Sequence, residues 1–528
     1  MVFFNKISIF IFLLFIINEN NYSQSFTDTA INNYTNPIIY ADFSDPDIIR
    51  VDNCYYLIAS SFNCMPGIPI LKSYDLINWK IVNYVYKKLP FEKYNKPAHG
   101  EGSWAPSIRY HNKKFYIYFC TPQEGLFVAT SRHPEKKWKL KHTVKVALWE
   151  DPCPFWDDDG NAYLIRSKVC GNELYLHRMS KDGMKILDNG KMIYKDTINP
   201  TIEGPKLIKN HGFYYILAPA GGVPTGWQEV LRSKNIYGPY ETKRVLHQGK
   251  TNINGPHQGG IVQIADDSWW FIHFQSKDCF GRIVHLQPVK WINEWPLMGT
   301  GIENFEEIGE PVRNYKKPLK TDTYKFRLQT SDEFNSKQLG LQWQWHANPM
   351  KKWYSLKKHK GFLRLYSIDN YSQNGNLWLV PNLLLQKFSA PNFTSTVKLH
   401  INYNHKGELG GLVIMGNEWG FLGIEKINSE QYKVSMFTGN YNQCNDLTTL
   451  HESDTININT IFLKVKINEN CMCEFSYSTD GLNFKPLGIP FKAKPGKWIG
   501  AKVGLFSINR EITNSKNGYI DIDWFRIE

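Results

Sequence analysis

The chain has 528 residues, 42% hydrophobic and 21% charged, values that exclude a disordered, collagen-like or multi-spanning membrane protein. A single core stops growing at about 250–300 residues, so two domains are expected. The net charge of +13 comes from scattered lysines, in pairs such as Lys316-Lys317 and Lys351-Lys352, beside no nucleic-acid motif; it reads as a solvated basic surface and sets nucleic acid aside as a partner.

The first element is Lys6 followed by the apolar run Ile7 to Ile17 and a polar stretch through Ser23, Gln24 and Ser25. This is the layout of a signal peptide, and the run falls short of the roughly 20 residues that a membrane span needs. Residues 1–24 are expected to be removed, leaving a secreted or periplasmic chain without a membrane span. The nine cysteines are odd in number and dispersed, unlike a small disulfide framework, and are expected to serve mostly as buried hydrophobes. Cys471-Met-Cys473 lacks zinc-ligand spacing.

Between Asp45 and Phe274 one unit recurs five times: a short strand, a polar turn, then an aromatic-rich strand. The instances are DPDIIRVDNCYYLIAS from Asp45, APSIRYHNKKFYIYFC from Ala105, DPCPFWDDDGNAYLIR from Asp151, EGPKLIKNHGFYYILA from Glu203 and HQGGIVQIADDSWWFIHF from His257. Each start lies about 45–60 residues after the last, enough for a four-stranded blade, and five such units predict a five-bladed β-propeller over residues 25–318. Rotation about the propeller axis would bring Asp45, Ala105, Asp151, Glu203 and His257 to one funnel. An Asp-Pro or Glu-Gly-Pro step also starts strands for purely local reasons, but three carboxylates at the same repeat position point to a shared site.

Several carboxylates among aromatic side chains suit glycoside cleavage, in which an acid protonates the leaving oxygen and a base activates water. The chemistry needs no organic cofactor. The blocks NPIIYADFSDPDIIR, SSFNCMPGIPILKSYDLINW, GSWAPSIRYHNKKFYIYF, EDPCPFWDDDGNAYLI, IEGPKLIKNHGFYYIL, NGPHQGGIV and GRIVHLQPVKW resemble glycoside hydrolase family 43, the β-xylosidases and α-L-arabinofuranosidases. The resemblance implies Asp45 as general base, Asp151 as the residue that raises the acid's pKa and helps hold the substrate, and Glu203 as general acid. It also implies His257 at the pocket floor, where some relatives bind a hydrated metal ion, and Arg282 against a catalytic carboxylate or the sugar. Phe62 and Trp104 resemble pocket-wall aromatics, though blade packing accounts for them equally well. Cys64 and Met65 replace larger or aromatic residues, which puts the subsite shape, and with it the substrate preference, in doubt.

The stretch Gly309 to Lys320 reads as a linker. Beyond it, over 319–528, alternating segments such as STVKLHI, QYKVSMF and IFLKVKI predict an antiparallel β-sandwich, giving an all-β chain. DEFNSKQLGLQWQWHANP and GYIDIDWFRIE resemble the concanavalin-A-like (jelly-roll) domain of family 43 xylosidases, which implies a sandwich lending a loop to the active-site rim. In some relatives positions matching Asp332 and Asp523 bind a structural calcium; ordinary turn and strand-end carboxylates explain them as well.

Taken together these features predict an exported, inverting hydrolase that removes terminal β-D-xylose or α-L-arabinofuranose from xylan-type polysaccharide. The alternatives are a non-catalytic carbohydrate-binding protein and an arabinan- or fructan-directed hydrolase. The fructan enzymes carry Asn-Asp-Pro and Glu-Cys-Pro, against Ser44-Asp45-Pro46 and Glu203-Gly204-Pro205 here. The choice of sugar and the oligomeric state stay open.

Overall fold

A computed structural model describes residues 32–301, 308–319, 325–369, 376–441, 448–511 and 516–528; the expected signal peptide lies outside them. Five antiparallel four-stranded sheets follow one another in chain order, each a simple meander. The first blade comprises Asp47–Val51, Cys54–Ile58, Gly67–Ser73 and Lys80–Tyr86, the second Ser107–His111, Lys114–Thr121, Gly125–Ser131 and Lys139–Lys145. The third holds Trp149–Trp156, Ala162–Lys168, Glu173–Met179 and Lys191–Lys195. The fourth is Lys206–Asn210, Phe213–Ala220, Trp227–Ser233 and Glu241–Leu246, and the fifth His257–Gln263, Trp269–Ser276, Arg282–Ile292 and Trp295–Met298.

The aromatic second strands of the repeat explain the ring. Tyr116 and Tyr118 of the second blade pack with Leu164 of the third, and Tyr215 and Leu217 of the fourth with Phe271 of the fifth. Both faces of each blade are buried against neighbours, so the repeat has little polar alternation to show. The ring is closed without a shared blade. Asn33–Thr35 pairs antiparallel with Asn314–Lys316, the Tyr34 hydroxyl donates to Leu286 O at 2.8 Å, and Asn36 Nδ2 donates to Leu286 O and Val312 O, each at 2.8 Å. The stretch read as a linker is thus, through Lys316, part of this clasp: its backbone polar groups find partners in the propeller and the N-terminal segment, where a free linker's would be solvated.

Two further sheets, each of eight strands, form the C-terminal sandwich. Its inward residues alternate cleanly, as in Phe393–Asn402, where every second side chain is buried. Cys279, Phe280 and Ile283 of the propeller belong to the sandwich's main apolar cluster, so the two domains share a core at their junction. Gly281 and Gly500 meet there with backbones so close that a Cβ on either would clash with the other's main chain. Cys279 and Cys471 are disulfide-bonded across the junction, a pairing between domains that cysteine spacing does not reveal. Of the remaining described cysteines, Cys64, Cys120, Cys153 and Cys473 are buried, Cys54 is half-buried and Cys170 is exposed.

Candidate active site

The first strands of the blades deliver their side chains to the propeller axis through local backbone departures. Asp45 and Asp151 have φ of 54° and 52°, a left-handed conformation that Asp tolerates better than most residues. At Asp151 the register between the first two strands of the third blade shifts, between Glu150 and Cys153. Such a bulge re-aims side chains. Gly204, at φ 59°, follows Glu203, and a Cβ there would collide with Gln258.

The result is a cluster of carboxyls from three blades. Both oxygens of Asp45 are held: Ser60 Oγ donates to Oδ2 at 2.6 Å and Arg282 Nη1 to Oδ1 at 2.6 Å. Asp151 Oδ2 accepts the Gly204 N–H at 2.8 Å. Burial, then the charges of Glu203 and Asp45, push the Asp151 carboxyl up to about 7, against the pull of Lys206. Glu203 lies 2.7 Å from Nε2 of the fully buried His257. Buried Lys206 donates from Nζ to Ser107 Oγ at 2.8 Å and supplies a fixed positive charge beside Asp151.

Sequence reasoning missed Glu150. It is buried next to Asp151, and burial, then the charges of Asp151 and Glu203, push its carboxyl up to about 9. Crowded carboxyls cannot all ionise in a water-poor pocket; Glu150 and Asp151 therefore keep protons to near-neutral pH.

Phe62 is buried beside Arg282, whose guanidinium is 5.9 Å from its ring centroid and 4.8 Å from that of Phe274. Trp104 is half-buried, its indole N–H donating to Gly100 O at 2.8 Å. Cys64 and Met65 sit at the domain junction: both are buried, and Met65 bridges to Trp345 of the sandwich. The loop carrying Lys497 and Trp498 crosses from the sandwich to the rim. Lys497 lies over Gly100, and the half-exposed Trp498 ring is 5.8 Å from the Arg282 guanidinium. The resemblance implied such a loop; the residue is legible only in the structure.

The carboxylates implied for calcium are engaged elsewhere. Asp332 accepts from Trp343 Nε1 at 2.9 Å and from the Phe334 N–H at 2.9 Å, while Asp523 accepts from Lys398 Nζ at 2.8 Å. A calcium ion requires six to eight oxygens, and among the described residues no group of three or more His, Cys, Asp and Glu side chains is placed to hold a metal. At His257, Nε2 is taken by Glu203 and Nδ1 is buried with no hydrogen-bond partner among the described residues.

A five-bladed ring with carboxyls from three blades at its axis, and an arginine and a histidine bound to two of them, defines a propeller-type glycoside hydrolase. Residues 34–296 match the Glycosyl hydrolases family 43 and residues 331–528 the Beta xylosidase C-terminal Concanavalin A-like domain; the chain belongs to family 43. It is 41% identical to a putative beta-xylosidase of Xylanibacter ruminicola over 91% of this chain and 88% of that one. It is 34% identical to a beta-xylosidase of Formosa agariphila, over 95% and 91%. With a non-reducing end alpha-L-arabinofuranosidase of Bacteroides ovatus it shares 28% over 74% and 75%. Among solved structures, a bifunctional GH43-CE protein of Bacteroides eggerthii superposes with a TM-score of 0.82 at 28% identity, covering 94% of this chain and 63% of that longer one.

Proposed function

We propose that the enzyme removes a terminal β-D-xylose, or an α-L-arabinofuranose branch, from xylan-type oligosaccharides in a single displacement with inversion. The observation that carries the roles is the contrast between two carboxylates at one axis. Asp45 has both oxygens held, by Arg282 and Ser60, which fixes its carboxylate in place to receive a proton from water. Glu203 comes from a different blade, stands beside Asp151 and bonds a histidine rather than an arginine, a position from which it can hand a proton to the leaving oxygen. Asp45 takes a proton from water as the water oxygen bonds to the anomeric carbon from one face; Glu203 gives its proton to the departing glycosidic oxygen on the other. The anomeric C–O bond breaks, and the product sugar carries the opposite configuration.

Two relatives named as beta-xylosidases over nearly the whole chain support xylose as the sugar. Export is supported by the apolar run at residues 7–17 and by the Cys279–Cys471 disulfide, since such bonds persist in oxidising compartments. Initial rates on an aryl β-D-xylopyranoside and an aryl α-L-arabinofuranoside, with Asp45→Asn as control, test the reading: turnover of neither above the control would refute it. Proton NMR of the first-formed anomer tests inversion.

A further inference from the structure

A second group of buried charges lies where the sandwich meets the propeller. Lys387, at the end of Leu384–Lys387, and Lys502, at the start of Lys502–Asn509, are cross-strand partners in the sandwich. Lys387 Nζ is 3.9 Å from Asp42 Oδ2 of the propeller and 5.1 Å from the Phe43 ring centroid. Lys502 is buried, and its Nζ has no hydrogen-bond partner among the described residues. Two ammonium groups on adjacent strands in an apolar junction are costly, and apolar residues of similar volume would pack there at less cost. Burial holds the Lys387 amine down at about 8 even with Asp42 opposing it. On Asp42 itself burial acts the other way but is outweighed: Lys387, Lys502 and the N–H groups of Arg282 and Gly500 hold its carboxyl below the usual range.

The opposite side of Asp42 faces the active site. Its Oδ1 accepts the Arg282 N–H at 3.0 Å and the Ser44 hydroxyl at 3.1 Å, while the Phe43 N–H donates to Arg282 O at 3.0 Å. The Arg282 backbone is therefore gripped at both its N–H and its carbonyl by residues 42–43, and its side chain reaches Asp45.

We propose that the sandwich sets the position of the base through the chain Lys387 and Lys502, Asp42, Arg282, Asp45. Lys387, Lys502 and Asp42 are positioning residues, and they govern the hydrolytic step while leaving substrate binding alone. The proposal rests on Asp45 being the base.

The test is steady-state kinetics of the full-length enzyme on whichever aryl glycoside it hydrolyses, for Lys387→Met, Lys502→Met, Lys387→Arg, Tyr84→Phe and Asp45→Asn. Misplacing a reacting group by a fraction of an ångström lowers kcat strongly, so each Met variant is expected to lose about tenfold in kcat with KM within about twofold of wild type. Lys387→Arg, which keeps the charge, restores most of the loss. Tyr84→Phe removes a different contact between the domains, the hydroxyl donated to Leu341 O at 2.8 Å, and leaves kcat in place. Should neither Met variant fold, Ser44→Ala, which strips one hydrogen bond from Asp42 and no charge, is read the same way. Unchanged kcat in the variants that fold, a KM that rises in step with the fall in kcat, or an equal loss in Tyr84→Phe overturns the proposal. An active Asp45→Asn instead shows that the base itself is misassigned, and the proposal falls with it; an inactive one beside unchanged Met variants isolates the failure to the positioning chain.

Discussion

Arg282 Nη1 lies 2.6 Å from Asp45 Oδ1, joining the third strand of the last blade to the entry of the first. The pair is almost buried, so removing one partner leaves a charge uncompensated. Arg282→Ala is expected to lower kcat/KM by about a hundredfold, because the Asp45 carboxylate loses the partner that holds it in place. Arg282→Lys recovers only part, because an ammonium lacks the planar fork. Kinetics of the two variants against wild type decide this.

The two carboxylates proposed as base and acid are distinguished by leaving group. Glu203→Gln should lose roughly 10²–10⁴-fold on a xyloside with a poor leaving group and far less on a dinitrophenyl glycoside, which departs without protonation. Asp45→Asn should lose heavily on both. A Glu203→Gln variant equally impaired on the two substrates would remove Glu203 from the acid role.

Glu150 and Asp151 make stability depend on pH. Their folded-state values of about 9 and 7 lie above the ordinary 4.5 and 3.8, so the unfolded chain releases protons that the folded one retains. The stability they confer is complete below about pH 4 and is lost as pH rises through 7 and then 9, at ~1.4 kcal/mol per unit of separation. Glu150→Gln should flatten the decline in melting temperature between pH 5 and 9. Calorimetry across that range checks it, and parallel curves for variant and wild type would count against the assignment.

The Cys279–Cys471 bond spans 192 residues and both domains. Cys279→Ser or a reductant should cost on the order of 2–4 kcal/mol of stability with kcat little changed, since the apolar junction around Phe280 persists. Non-reducing peptide mapping checks the bond, and a thermal scan and steady-state kinetics with and without reductant measure the two effects.

Trp498 presents a half-exposed ring at the rim beside Arg282. A sugar stacked on it would bury apolar area of the indole, so Trp498→Ala should raise KM severalfold and Trp498→Phe only slightly. Equal KM values for Ala and wild type would place the ring outside the substrate's path.

The five blades were legible because the repeat is carried by strand-length aromatic runs and polar turns, and the sandwich because its strands alternate. Asp45, Asp151 and Glu203 could be picked out because rotational symmetry converts equal repeat positions into one place. Glu150 could not: in a regular strand it would point away from Asp151, and only the bulge between Glu150 and Cys153 overrides that alternation. The buried lysines were hidden for a related reason. Lys387 and Lys502 lie at strand ends, where lysine is ordinarily solvated, and only the docking of the sandwich on Asp42 takes them out of solvent. The linker was misread because GEPVRNYKKPLK has turn composition, whereas its partner strand at residues 33–35 is most of a domain away in sequence.

That distant partner orders events on the ribosome. Asn33–Thr35 emerges early and waits for Asn314–Lys316, and until then the circle of blades is an open arc with unpaired ends. Closing it is a contact of high sequence separation, slow to form, and an arc with exposed edges invites wrong partners. Asp45 obtains its arginine only when the fifth blade arrives, so a nascent chain several blades long has no assembled pocket. Closure completes the carboxyl cluster, and the sandwich, made last, then brings Trp498 to its rim.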